Sequence, residues 1–172
     1  DHQKIDLINH LISDKPDYNS ILIFCSTKRK VTELANSLKK NKFAAEAISS
    51  DLEQTEREKV LQAFKARRTR ILVATDVLSR GIDIKEINLI INFDVPHDAE
   101  DYVHRVGRTA RADATGVALT LVNEKEMGKF QQIEKLIERA VIKLPLPEGL
   151  GKGPEWRPSK ARKSSSRKSF SK

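Results

Sequence analysis

The sequence predicts an α/β fold with a mainly parallel sheet of at least five strands. Three observations carry that prediction. Short apolar runs of strand length recur at Ser20–Cys25, Phe43–Ile48, Arg70–Thr75, Leu89–Asp94 and Gly116–Val122. Stretches with helical apolar spacing separate them. Polar residues gather where the runs end, at Ser26/Thr27, Thr75/Asp76 and Asp94. Continuous apolar runs alternating with helices belong to parallel sheets covered on both faces. In such sheets chemistry collects at the carboxyl ends of the strands.

Taken in order, residues 2–13 carry Ile5, Ile8 and Ile12 with Leu7 and Leu11 beside them, which predicts a helix. Pro16, Asp17 and Asn19 mark a turn. After the first strand, Ser26 or Thr27 caps a helix whose core face is Val31, Leu34, Ala35 and Leu38. Thr55 and Glu58 match a capping box and open a helix with Val60, Leu61 and Phe64 inward. Arg67–Arg70 reads as a basic loop. Pro96 stops the fourth strand, and a short helix spans Asp98 to Arg105. A last helix, Glu124 to Arg139, turns Phe130, Ile133 and Ile137 inward.

The domain spans residues 1–143. Residues 144–172 read as extended chain and a basic, disordered tail. Leu144-Pro145-Leu146-Pro147 is extended, and Gly149–Pro154 is a flexible linker rather than a phosphate loop. The net charge of +8 sits mainly in this tail. From Lys152 onward the chain holds eight of the 32 Lys/Arg and one of the 24 Asp/Glu, which leaves 24 against 23 in the body. The charge therefore describes a basic tail on a nearly neutral domain, which reads either as a segment that binds RNA phosphates or as a solubilising end.

No apolar run approaches a membrane span, and the polar start Asp-His-Gln-Lys does not read as a signal peptide. The single cysteine, Cys25, lies in an apolar run and reads as a buried small hydrophobe. Neither it nor the four histidines have metal-ligand spacing.

The densest polar stretch is Glu100-Asp101-Tyr102-Val103-His104-Arg105-Val106-Gly107-Arg108-Thr109-Ala110-Arg111. It places arginines three residues apart, so their side chains fall on neighbouring faces. Guanidinium forks fit phosphate oxygens, and clustered ones call for an anion. The plainer reading is a solvated turn paired with Asp98 or Asp101.

The stretch is similar to the last motif of superfamily 2 helicases. With it, Ile21–Thr27, the Asp51-x-x-Gln54-x-x-Arg57 pattern, Ala74–Asp83 and Asn92–Pro96 resemble, in order, motifs of the second RecA-like domain of DEAD-box RNA helicases. The likeness covers roughly residues 1–140. The ending Leu144–Pro154 also resembles bacterial RhlE-type members. Ser49-Ser50 stands where many members have His-Gly, and Ala110 where many have Gly.

The resemblance implies a RecA-like three-layer αβα sandwich. It implies Arg108 and Arg111 as arginine fingers on the γ-phosphate of ATP, with Asp83 and Gly81 at the nucleotide. Thr27, Gln54, Arg57 and Thr75 would touch the RNA backbone. His104, Arg105, Arg80 and Asp76 would hold the motifs and the partner domain. No phosphate loop and no Asp-Glu-Ala-Asp stretch occur in the chain. In the family that the chain resembles, both belong to an N-terminal RecA-like domain, so the resemblance implies ATP with Mg²⁺, the Mg²⁺ held by that other domain. The expectation is the C-terminal half of a cytoplasmic helicase, unable to hydrolyse ATP alone. A stand-alone RNA-binding module and another kind of α/β nucleotide enzyme are the alternatives. The last of these would need a glycine-rich loop that Ser26-Thr27-Lys28-Arg29 does not supply.

Overall fold

The computed structural model describes residues 1–76, 87–107 and 116–158. Arg80, Gly81, Asp83, Arg108, Arg111 and the tail from residue 159 lie outside the described residues. The elements run α1 (His2–Ser13), β1 (Ile21–Phe24), α2 (Lys28–Lys40), β2 (Ala45–Ile48), α3 (Gln54–Lys65), β3 (Ile71–Ala74), β4 (Leu89–Asn92), α4 (Ala99–Val106) and β5 (Val117–Thr120). A 3₁₀ turn (Glu124–Glu126) then leads into α5 (Met127–Leu136).

The five strands form one sheet in the order β2-β3-β1-β4-β5, and every neighbouring pair is parallel. The three central strands, β1, β3 and β4, are buried along their whole length. Their successive side chains alternate between two cores. Ile21, Ile23, Ile71, Val73, Leu89 and Ile91 meet Ile8 and Ile12 of α1 and Val31, Leu34 and Leu38 of α2. Leu22, Phe24, Leu72, Ala74 and Ile90 meet Phe64 of α3, with Val60 and Leu61 half-buried beside it. That is the expected three-layer αβα sandwich. Cys25 lies in the first core, and burial pushes its thiol up to about 12.

A third, smaller cluster lies apart from these two cores. Val95, Phe130 and Ile133 are buried there, packed by Tyr102 of α4, Val122, Val141 and Trp156. It ties α4 and α5 to the chain that follows them.

Several local expectations change. The capping box at Thr55 and Glu58 does not form. α3 starts two residues earlier, at Gln54, and its cap residue Glu53 makes no side-chain capping bond. Leu52 packs into the second core and sets that earlier entry, so Thr55 already lies in the first turn. The capping box instead appears at Asn123/Glu126. The last helix ends at Leu136 rather than at Arg139, with Glu138 at φ 55° closing it.

On α1 the buried line is Lys4, Ile8 and Ile12, while Ile5 and Leu7 are partly buried. The basic loop at 67–70 is not simply solvated. Arg70 donates to the carbonyls of Tyr18, Ile12 and Lys15 and so fastens the end of α1. Burial lowers the pKa of its guanidinium. Residues 144–158 form no helix or strand, and the 149–154 stretch is held: Gln3 Nε2 donates to the Leu150 carbonyl at 3.1 Å.

Candidate functional site

The candidate residues lie along the carboxyl edge of the sheet. Strand order brings the loop after β2, Thr75/Asp76 after β3, Ser26/Thr27 after β1 and Phe93/Asp94 after β4 side by side. Four short strands end together there, because the registers of β1, β3 and β4 pair residue for residue.

Arg105 is the centre of the edge. It projects from the last turn of α4 and is only 5% exposed. Its Nε donates to Asp76 Oδ1 at 2.6 Å, and a second nitrogen meets Asp76 Oδ2. The remaining terminal nitrogen, Nη1, donates to Asn92 Oδ1 at 2.9 Å. Asn92 in turn donates from Nδ2 to Thr120 Oγ1 at 3.0 Å, across the β4–β5 pair. The guanidinium lies over the Phe24 ring, 4.8 Å from its centroid. A guanidinium taken out of water needs this kind of full pairing. Asp98 caps α4 by accepting from the Asp101 N–H at 2.8 Å. Glu100 and Asp101 then sit in its first turn and His104 and Arg105 in its last, charges that suit the helix dipole at each end. Of the two, only Arg105 is buried; the His104 side chain is exposed and lies 4.0 Å from Glu100.

A second clamp fixes the turn after β1. Asp94 Oδ2 accepts from the Ser26 backbone N–H at 2.7 Å, and Oδ1 from Lys30 Nζ at 2.5 Å. Burial alone would push this carboxyl up. The hydrogen bonds from Lys30 and Ser26 outweigh it and hold the carboxyl below its usual value. Thr27 caps α2, its hydroxyl oxygen accepting from the Lys30 N–H at 3.2 Å. The cap uses an acceptor lone pair and leaves the hydroxyl proton for an outside oxygen. Capping and a phosphate contact are therefore compatible.

Gln54 and Arg57 lie on the first turn of α3. Gln54 donates to Glu58 at 3.2 Å and accepts from Arg57 at 3.4 Å. An exposed Lys28–Asp51 ion pair at 2.9 Å joins the start of α2 to the loop before α3. It orients these groups rather than stabilises them, since exposed pairs are worth little. Thr75 follows β3, half-buried, between the two. Thr27 and Thr75 thus follow the adjacent strands β1 and β3, and Gln54 and Arg57 lie on the helix that follows β2, the next strand of the sheet.

Three supporting residues escaped the sequence reading. Lys4 is buried and donates to the Phe93 carbonyl at 2.7 Å and to Glu126 at 2.8 Å. Glu126 also accepts from the Val95 N–H at 3.1 Å, so it fixes the turn between β4 and α4. Lys30 is the third. The available signal was Lys4 standing at i−4 to Ile8 on an apolar helix face. Among the described residues, no buried side-chain nitrogen or oxygen lacks a partner. No group of three or more His, Cys, Asp or Glu there could hold a metal ion.

A five-stranded parallel sheet between helix layers, with its polar residues on the carboxyl edge, defines an α/β domain of the RecA-like type. The profile of the helicase conserved C-terminal domain matches residues 3–113. The chain belongs to that family, and within it to the domains carried by DEAD-box RNA helicases.

It is similar to an ATP-dependent RNA helicase eIF4A of Kluyveromyces lactis, 39% identical over 83% of this chain and 36% of the relative. It is also similar to the DEAD-box ATP-dependent RNA helicase CshA of Geobacillus kaustophilus, 43% identical over 84% of this chain and 31% of that protein. The chain thus spans about a third of these relatives. Among solved structures, the E. coli DEAD-box protein SrmB superposes with a TM-score of 0.81 at 31% identity, covering 92% of this chain and 91% of that one. A DEAD box protein of Methanococcus jannaschii gives 0.74 at 41% identity, over 81% and 38%.

Proposed function

We propose that this chain is the second motor domain of an ATP-dependent DEAD-box RNA helicase, working against an N-terminal RecA-like domain of the same protein. The observation that carries the reading is the anchoring of α4. Arg105, buried and doubly bonded to Asp76, fixes the helix whose chain continues to Arg108 and Arg111.

In this reading Arg108 and Arg111 meet the charge that develops on the γ-phosphate of ATP. Asp83 and Gly81 meet the nucleotide, and Arg80 and His104 face the other domain. Thr27, Thr75, Gln54 and Arg57 hold the RNA sugar–phosphate backbone. Hydroxyls, an amide and one guanidinium suit contacts that ignore base identity. ATP and RNA close the two domains over a shared cleft, and hydrolysis reopens it. The basic tail adds phosphate contacts.

Mg²⁺ is assigned to the other domain, as is the cradle for the β- and γ-phosphates, because this sequence has neither a phosphate loop nor an Asp-Glu-Ala-Asp stretch. The domain, residues 1–143 with the appendage 144–172, is inactive as an ATPase by itself. No helix among the described residues is long and apolar enough to cross a membrane, and the proposed setting is the cytoplasm. The RhlE-type assignment rests on Leu144–Pro154 alone.

The test is RNA-stimulated ATP hydrolysis by the chain joined to its N-terminal domain, with and without Arg111→Ala. Loss of turnover with RNA binding intact is the expected result. Undiminished turnover moves the stand-alone RNA-binding module to the front.

A further inference from the structure

Residues 141–157 have no helix or strand, yet they are fastened to the domain as a strap. The Val141 N–H donates to Glu134 at 2.8 Å, and Lys143 pairs with the same carboxylate. Lys143 lies over two rings, 5.6 Å from the Phe130 centroid and 4.5 Å from that of Trp156. The chain then reverses through Gly149 and Gly151, whose φ values of +87° and +80° lie in the left-handed region. Gly153 comes so close to Leu146 that a Cβ would sit 3.2 Å from its Cγ. The strap ends with the Arg157 N–H on Met127 Sδ at 3.4 Å.

Trp156 meets Phe130 edge-on, with ring centroids 6.1 Å apart at 87°. Phe130 meets Tyr102 of α4 in the same way, at 5.9 Å and 73°. Three rings therefore run from the strap through α5 to α4. Tyr102 stands three residues before Arg105 on the same helix. α4 has only eight residues, too few to hold its place without packing. Ala99 and Tyr102 of its inward side pack against this small third cluster, while Arg105 reaches the Phe24 ring of the second core. Closely packed rings transmit a displacement instead of absorbing it.

We propose that Trp156 is a positioning residue, which through Phe130 and Tyr102 sets the position of α4 and so the presentation of the arginines that follow it. This rests on the motor-domain reading above. A residue acting this way changes turnover more than RNA binding, because Thr27 and Thr75 lie in the turns after β1 and β3 and Gln54 and Arg57 on α3, outside the chain of rings. A displacement of about 1 Å at a catalytic group costs on the order of 100-fold.

The experiment compares wild type, Trp156→Ala and Trp156→Phe in the enzyme comprising this chain and its N-terminal domain, reading kcat, KM for ATP and RNA affinity. The expected result is a fall in kcat of about tenfold or more for Trp156→Ala. RNA affinity stays within about twofold, and Trp156→Phe recovers most of the rate. An unchanged kcat overturns the proposal.

Should Trp156→Ala fail to fold, a second measurement decides. Trp156 is the sole tryptophan of this chain, so its emission reports the strap. Tyr102→Leu in the 172-residue chain should shift that emission to the red. In the full enzyme the same variant should lower kcat without loss of RNA affinity. No shift and no change in kcat overturn the ring relay. A wild-type enzyme without RNA-stimulated ATPase activity sinks the motor reading, and with it the arginine half of the proposal; the emission shift still decides the coupling between strap and helix.

Discussion

Arg105 and Asp76 are joined by two hydrogen bonds across the carboxyl edge of the sheet, although 29 residues separate them. The pair fastens α4 to the chain that leaves β3. Its energetics are lopsided. A buried pair formed from separate charges gains little net stability, but removing one partner strands the other. Asp76→Ala should therefore cost about 3–5 kcal/mol, and Arg105→Met less, because the Asp76 carboxylate that it strands is 29% exposed and stays in reach of water while the Arg105 side chain is only 6% exposed. Urea unfolding of the two variants and of the double variant measures the difference. Equal costs would contradict this account.

Asp94 gives the domain an acid-sensitive clamp. Its folded carboxyl titrates below the ordinary value of 3.8. Its contribution is therefore fully present above that value and is lost as pH falls through the lower folded pKa. Asp94→Asn should lower stability near neutral pH and flatten the acid limb below about pH 4. Urea midpoints across that range, wild type against variant, test the sign. Parallel curves would show that Asp94 makes no pH-dependent contribution.

Thr27 is assigned two tasks that substitution can separate. Thr27→Val keeps the shape and loses the capping oxygen, at a cost of about 1 kcal/mol. Thr27→Ser keeps both the cap and the hydroxyl proton and should leave stability and RNA affinity near wild type. Thr27→Asn keeps a capping oxygen but replaces the hydroxyl, so stability should hold while RNA affinity falls. Thermal melts beside RNA titrations at fixed salt read both effects. Full RNA affinity in Thr27→Asn would argue that the cap is the residue's whole role.

Cys25 should be inert in the folded domain. Burial raises its pKa to about 12, and the thiolate is the reactive form. A thiol reagent at neutral pH should leave the native chain unlabelled and label it fully in denaturant. Native labelling at a rate near that of a free thiol would mean the first core opens readily.

The sheet could be read from the chain because its strands are nearly pure apolar runs. Ile21–Phe24, Ile71–Ala74 and Leu89–Asn92 are buried on both faces, and no helix of ordinary length fits such short runs between turn residues. The face of α2 was legible for the same reason, its apolar residues recurring at helical spacing with a threonine before them. The start of α3 was not. Leu52 packing into the core outweighed the local capping signal at Thr55, as tertiary burial commonly outweighs a preference worth about 1 kcal/mol.

By itself, then, the sequence determined the order of elements, the edge where polar groups collect, and the family likeness carried by its motifs. Local periodicity and short-range spacing are enough for those. Only the tertiary structure decided which charged residues go inside. Local spacing does not say that a lysine at position 4, an arginine at 105 and an aspartate at 94 are taken inside, and each is buried. Burial of a charge depends on a partner brought from elsewhere in the chain: Glu126 for Lys4, Asp76 for Arg105, Lys30 for Asp94. The same holds for the strap, whose glycines and prolines signal loose chain until Trp156 is placed against Phe130. Such pairings are set by the packing of the sheet and its helices, a long-range outcome that no window along the chain contains.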